Sequence, residues 1–277
     1  MKIVVLGAGG MAGSMIFDYL TKHTSYDVVG TYRQKDKPLY LDASDSHSIH
    51  HFISFIGVYK PHVVINCIGL LVKECNDSPD LATRINLAFP HLMAKACDSV
   101  NAKLIHISTD CVFNGNHGPY NEWSETDEIG NYGRTKALGE IKTGNHLTLR
   151  TSIIGPDKDV NGTGLFNWVM KQSDVIDGYC NVMWNGITTL ELAKQIDKII
   201  SRIDKLSGLY HLTTDEHNTK NYLLYLLKTH YSIPIKIQEC FVPISNKCLL
   251  NNRKAEYDCR IPLLDIQIKE LSQYKLN

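Results

Sequence analysis

The chain has 277 residues, 43% of them hydrophobic, and its 29 basic and 29 acidic side chains cancel to a formal net charge of zero. That is enough apolar material for one large domain or two interleaved lobes. The balance lacks the basic excess of a nucleic-acid binder, and no apolar run approaches the length of a membrane span; a cytoplasmic protein that binds neither nucleic acid nor membrane is expected.

The chain starts apolar only over Ile3–Leu6 and then meets Gly7, which reads as a buried strand rather than a signal-peptide core. Met11–His23 follows with Met15, Ile16, Tyr19 and Leu20 at helical spacing. Asp27–Tyr32 reads as a second strand, Ile49–Tyr59 as a helix ended by Pro61, and His62–Asn66 as a third strand. Pro79–Asn101 is a long helical stretch with a bend expected near Pro90, and Lys103–Ser108 is a fourth strand. Strands alternating with helices predict an α/β fold, a Rossmann-type doubly wound parallel sheet covered on both faces. From about Gly155 the rhythm changes. Helices are expected over Leu190–Ile203 and Asn218–His230, with short strands at Leu209–Thr213 and Ile235–Ile237. The expected division is a cofactor-binding domain over 1–155 and a smaller, interleaved α/β substrate lobe over 156–277.

Eight cysteines are scattered with no Cys-x-x-Cys pair, and twelve histidines form no ligand-like cluster. Neither a disulfide framework nor a metal site is expected, and most of the cysteines read as small core residues.

Glycines 7, 10 and 13 follow a strand and open a helix, the context in which G-x-x-G-x-x-G has chemical meaning. Glycine permits close approach of backbone to a pyrophosphate, and the helix N-terminus beginning at Met11 offers free N–H groups. After the second strand, where an NAD enzyme usually carries an acid, the chain has Arg33. A guanidinium there suits the 2′-phosphate of NADP, so NADPH is the expected cofactor and NADH the lesser alternative. Asp42 is the candidate for the adenine amino group, and the loop Cys67-Ile68-Gly69 is expected to lie under the cofactor.

The fourth strand ends Ser108-Thr109-Asp110, polar residues at the end of a parallel strand where ligands bind in such sheets. Downstream, Tyr132 and Lys136 share one face of a helical stretch over Arg134–Lys142. A phenol ionises near pH ~10, and a nearby ammonium is expected to lower that value and ready Tyr132 for proton exchange with a substrate oxygen. The Thr109 hydroxyl could bond the same oxygen.

Together, Gly7–Gly13, Ile107–Phe113, Tyr132–Glu140 and Leu149–Ser152 resemble an extended short-chain dehydrogenase/reductase, and more narrowly the dTDP-4-dehydrorhamnose reductase family of sugar-nucleotide reductases. The resemblance covers nearly the whole chain and is clearer before Gly155. It implies a Thr109–Tyr132–Lys136 triad in which Lys136 also holds the nicotinamide ribose. It further implies NADPH reduction at C4 of a 4-keto-6-deoxy sugar carried on a nucleotide, in making a deoxysugar for surface polysaccharide. Asp110, Tyr132, Asn161, Phe166 and Trp184 are the candidate substrate contacts, with Asn167 nearby. A homodimer is compatible with this reading.

The chain departs from the family pattern at Val72–Asn76 and Val182–Thr188, and it carries Cys111 where the family has tyrosine. The sugar and the nucleotide therefore stay open. Cys111 also supports an alternative similar to GDP-fucose synthase, an epimerase–reductase in which it moves protons beside the ketone. The histidine partner which that resemblance implies is absent between Ile153 and Ile176. A third reading, a non-catalytic NADP-binding regulator, has no use for the triad.

Overall fold

The computed structural model describes residues 1–158, 164–257 and 260–276. Strand β1 (Lys2–Leu6) lies between β2 (Asp27–Gly30) and β3 (Val63–Asn66), parallel to both. Helix α1 (Met11–His23) makes the first crossover and α2 (Ser46–Tyr59), capped by the Asp45 side chain on His47 N, makes the second. A strand covered on both faces needs apolar residues throughout, and β1 supplies them. Ile3 and Val5 enter one core, against α1, while Val4 and Leu6 enter the other, with Phe52 and Ile56 of α2.

The stretch expected as one helix from Pro79 to Asn101 is divided. Short helices α3 (Val72–Asp77) and α4 (Pro79–Ala82) lead into a π-helical turn at Thr83–Ala88, and α5 (Phe89–Asp98) follows. The irregularity falls just before Pro90 rather than at it. Proline cannot donate to the carbonyl four residues back and its ring crowds that carbonyl, here Asn86. Widening the helix by one residue relieves both. The freed Asn86 carbonyl is closely approached by Gly139, where a Cβ would stand 1.9 Å from it.

Strand β4 (Lys103–Thr109) is buried at all seven positions. Helix α6 (Asn131–Leu138) begins earlier than the expected Arg134, so Tyr132 already lies in its first turn. Strand β5 (Leu147–Thr151) pairs with β4, and β6 (Ile153–Ile154) turns away to pair with β9 (Ile187–Thr188). Helix α7 (Leu165–Met170) precedes β7 (Val175–Tyr179) and β8 (Val182–Trp184). Helix α8 (Thr189–Ile200) returns to pack on α1, and β10 (Gly208–His211) joins the edge of the sheet beside β5. Then come β11 (Asn218–Thr219), α9 (Lys220–Tyr231), β12 (Lys236–Cys240), β13 (Ser245–Asn246) and α10 (Leu264–Gln273). β12 pairs with β7, while β11 and β13 flank β8.

The main sheet has the order β10-β5-β4-β3-β1-β2, all parallel. Strand order reverses between β1 and β3, which opens a crevice at their carboxyl ends. The chain beyond residue 155 thus does two things. It forms the small sheets over that crevice, and it contributes β10 and α8 to the main layer. No helix among the described residues is long and apolar enough to cross a membrane.

Candidate active site

A cavity of about 370 Å3 occupies the crevice. One end is the start of α1, at Gly10 and Met11. The floor is Cys67 and Gly69 after β3, and the far end is Thr109, Asp110 and Cys111 after β4, with Tyr132 and Lys136 of α6. The structure brings these residues together although they come from four separate stretches of the sequence.

The glycines at the α1 end have different jobs. Gly7 has φ +75°, a left-handed backbone that L side chains avoid. At Gly13 a Cβ would stand 2.2 Å from the Gly7 carbonyl oxygen, so it lets α1 sit against the end of β1. At Gly10 the nearest atom to a Cβ would be 3.6 Å away, and the backbone angles are ordinary. Protein packing does not require glycine there. The start of α1 also lacks a side-chain cap. An uncapped helix N-terminus, with an open glycine facing the cavity, fits an anionic pyrophosphate.

Arg33 and Asp42 lie beyond the end of β2, outside this cavity. Burial raises the Asp42 carboxyl, but hydrogen bonds from Ser44 and the Arg33 charge outweigh it and hold the pKa below the ordinary value. Asp42 accepts from both the amide and hydroxyl of Ser44, at 2.8 and 2.6 Å, so the carboxylate shapes its own turn. A shallower cavity of about 530 Å3 adjoins Gly9 and is lined by Tyr32, Gln34 and Lys37. Gln34 and Lys37 carry no motif in the sequence, since only the fold of the loop after β2 brings them to this cavity.

At the other end the proton chemistry differs from expectation. The Tyr132 hydroxyl was expected to have a lowered pKa under the influence of Lys136. Burial instead raises it, the neighbouring Cys111 and Asp110 add to the rise, and only a hydrogen bond with Thr109 opposes it. The Lys136 ammonium is turned to the Ile107 carbonyl, to which it donates at 2.8 Å. Its own pKa is lowered to about 8 by burial, against the pull of Glu140, Cys67 and Cys75. In this state Tyr132 holds its proton firmly. Burial also pushes the Cys111 thiol up to about 12, with Asp110 adding to it and Lys247 opposing. The Thr109 hydroxyl donates to Asp110 at 3.1 Å and accepts from the Cys111 amide at 3.1 Å.

Behind the triad lies a buried ion pair. Arg150 of β5 binds Glu140 through Nε at 2.6 Å and a terminal nitrogen at 2.8 Å. Ser108 donates to the same carboxylate at 2.8 Å, next to Thr109 on β4. Glu140 directly follows α6, so the pair fastens the Tyr132–Lys136 helix to β4 and β5. Asn86 is buried and clamps the Leu70 backbone, accepting from its N–H at 2.8 Å and donating to its carbonyl at 3.1 Å. That fixes the loop on the cavity floor.

The chain belongs to the RmlD substrate binding domain family.

The family's sequence profile matches residues 1–225. The dTDP-4-dehydrorhamnose reductase of Mycolicibacterium smegmatis is 36% identical over 142 residues, 50% of this chain and 40% of that protein's length. The spore coat polysaccharide biosynthesis protein SpsK of Bacillus subtilis is 30% identical over 220 residues, 76% of this chain and 73% of that protein. A crystal structure of Bacillus anthracis dTDP-4-dehydrorhamnose reductase in complex with NADP matches with a TM-score of 0.82, covering 98% of each chain at 20% identity. At that identity the likeness is one of fold.

Not every candidate contact within this family framework reaches the cavity. Asn161 lies outside the described residues. Phe166 and Trp184 are only 7% and 3% exposed and belong to the main hydrophobic core. Phe166 meets Tyr231 edge-on, and the Trp184 indole N–H donates to Ser152 at 2.8 Å. Aromatic rings bury large apolar area, and neither of these two lines the cavity. Asn167 exchanges hydrogen bonds with the Asp157 backbone at 3.0 and 3.1 Å. The fold also supplies a residue with no local signal in the sequence: Lys220, at the start of α9, has its pKa lowered by burial, against the pull of Asp110 and Cys111.

Proposed function

We propose that this protein is an NADPH-dependent reductase of the C4 ketone in a nucleotide-linked 4-keto-6-deoxy sugar, acting in synthesis of a deoxysugar for surface polysaccharide. The observation that carries the reading is the single cavity joining the glycine-loop helix start to Thr109, Tyr132 and Lys136. The names of the Mycolicibacterium and Bacillus relatives support the reaction class and the polysaccharide role.

Gly10 and the start of α1 would take the pyrophosphate, and Cys67 and Gly69 would lie under the nicotinamide half. Arg33 would take the 2′-phosphate, with Asp42 toward the adenine. When bound, NADPH supplies a hydride. Thr109 and Tyr132 bind the ketone oxygen. As negative charge develops on that oxygen, Tyr132 gives it the phenolic proton. A phenol whose burial has raised its pKa is fully protonated at neutral pH, as donation requires. Lys136 holds the ribose hydroxyls and, charged and close by, would steady the phenolate left behind. Asp110 would accept from a sugar hydroxyl.

Cys111 supports a second reading, since it lines the same cavity beside Thr109. Its thiol, with a pKa pushed up to about 12, is a proton donor at neutral pH, and as a base it would first need to be deprotonated. A regulator without chemistry leaves the joined cavity and the Tyr132–Thr109 contact unexplained.

One experiment separates the three. A panel of 4-keto nucleotide sugars is offered with NADPH or NADH in deuterated water, and products are read by NMR. Reduction of at least one, faster with NADPH, is expected, with no deuterium beside the carbonyl. In Tyr132→Phe, turnover should fall by ~10²–10⁴-fold with NADPH binding retained. Deuterium at the neighbouring carbon, lost in Cys111→Ser, would establish the epimerase instead. No NADPH consumption across the panel would defeat the reductase reading.

A further inference from the structure

Arg150 and Glu140 form an ion pair whose side chains are 1% and 0% exposed. Taking two charges out of water costs about as much as their attraction returns, so such a pair is weak evidence of a gain in stability. What distinguishes this one is where it puts the carboxylate. Glu140 follows Lys136 by four residues and lies one turn beyond it, just past the end of α6. Two consecutive residues of β4 grip the two groups. The Ile107 carbonyl accepts from the Lys136 ammonium at 2.8 Å, and the Ser108 hydroxyl donates to Glu140 at 2.8 Å. The carboxylate is also held by Arg150, at 2.6 and 2.8 Å, and by the Lys142 ammonium at 3.2 Å. Among the described residues no hydrogen bond or ion pair joins Glu140 to Lys136 directly.

The titratable groups around Lys136 are Tyr132 and Glu140 at the two ends of its own helix, Cys67 after β3, Cys75 of α3 and His106 of β4. Burial pushes the Cys67 thiol up to about 12 and raises the Cys75 thiol and the Tyr132 phenol. It also lowers His106 well below the ordinary imidazole value, with Lys136 and His91 adding to the drop. These four are therefore uncharged at neutral pH. Burial raises the Glu140 carboxyl too, but Arg150, Lys142 and Ser108 outweigh it and keep it ionised. Of the groups facing the buried ammonium, Glu140 alone carries a negative charge.

We propose that Glu140 is a positioning residue that supplies the counter-charge of Lys136, and that Arg150 and Ser108 hold it back so that the ammonium stays free for a ligand. This rests on the role given to Lys136 in the reductase reading above. A carboxylate bonded directly to Lys136 would keep it charged but occupy donors that the ribose needs. With no anion nearby, burial would strip the ammonium of its proton near neutral pH. The clamped carboxylate avoids both. Its charge is felt through space and the donors stay open. Arginine suits the clamp because its planar fork fixes a carboxylate through two parallel bonds.

The test titrates Lys136 itself. The full chain is labelled with 13C at lysine Cε, and the Lys136 resonance is assigned by its loss in Lys136→Arg. Its midpoint is then followed by NMR in wild type, Glu140→Gln, Glu140→Asp and Arg150→Lys. Glu140→Gln removes the charge and keeps the shape, and the midpoint should fall by about one pH unit. The charged fraction at pH 8 then drops from about a half to about a tenth, so NADPH affinity there should fall about fivefold. Glu140→Asp draws the charge back by one methylene and should give a smaller fall, which carries the test if Glu140→Gln shows no cooperative melt. Arg150→Lys loses the fork and lets the carboxylate reach Lys136, so the midpoint should rise. An unchanged midpoint in the folded Glu140 variants overturns the proposal. A fall in Arg150→Lys as well as in Glu140→Gln also overturns it, because general loosening of the site then explains both. Midpoints that move in opposite directions while the NADPH profile stays flat leave Glu140 in its role and remove Lys136 from the ribose, so the two readings fail separately.

Discussion

At Lys136 burial and charge oppose one another. A free ammonium titrates near ~10.4, and burial brings this one to about 8, with Glu140, Cys67 and Cys75 limiting the drop. As pH rises through that value the cation is lost, and with it the charge that would hold the ribose. NADPH affinity of the cofactor-free protein should therefore fall from neutral to alkaline pH, measured by fluorescence titration. Lys136→Arg should bind more weakly but with a flat profile, because arginine stays charged. A flat wild-type profile would remove Lys136 from the ribose. The stability effect has the opposite sign. A lysine with a depressed folded pKa penalises the fold while protonated, and the penalty lifts as pH rises from about 8 toward ~10.4. The i and i+4 spacing of Tyr132 and Lys136 was legible in the sequence. That they do not tune each other in this state was not, because the partner of each, Thr109 for one and the Ile107 carbonyl for the other, comes from β4.

Among the elements, the β1–α1 corner holds one glycine that packing requires and one that it does not. At Gly13 an added Cβ meets the Gly7 carbonyl at 2.2 Å, a backbone contact that no rotamer change relieves. Gly13→Ala should cost ~1–3 kcal/mol, seen as a lower Tm. Gly10→Ala meets nothing closer than 3.6 Å and should keep the wild-type Tm while losing NADPH binding. If Gly10→Ala binds NADPH normally, the loop is not the phosphate cradle. The strand–helix alternation was legible over the first half because β1 and β3 are buried almost throughout and so are mostly apolar. The π-helical turn at Thr83–Ala88 was not, since periodicity marks which face is apolar and is blind to one extra residue per turn. In the second half the short strands, some of only two residues, are too brief to carry a period, and their limits shifted accordingly.

Across the whole molecule, the C-terminal half is both lid and foundation. β10 completes the main sheet beside β5, and α8 covers α1 with Leu192, Ile196 and Ile199 fully or almost fully buried. A fragment of residues 1–155 would leave the β5 edge unpaired and an apolar face of α1 in water. It should show no cooperative thermal melt by circular dichroism. A sharp melt would mean that the sheet is self-sufficient without β10 and α8. The sequence by itself determined the parallel sheet, the glycine loop and the positions of Thr109, Tyr132 and Lys136. Each of those depends on residues close together in the chain: an apolar run, a three-residue glycine spacing, a strand end, one helical turn. Tertiary structure alone decided that Phe166 and Trp184 are core, that the Glu140–Arg150 pair anchors the Tyr132–Lys136 helix, and that Lys220 is brought near Asp110 and Cys111. Burial and electrostatic proximity belong to the packed molecule, and no local pattern in the sequence encodes them.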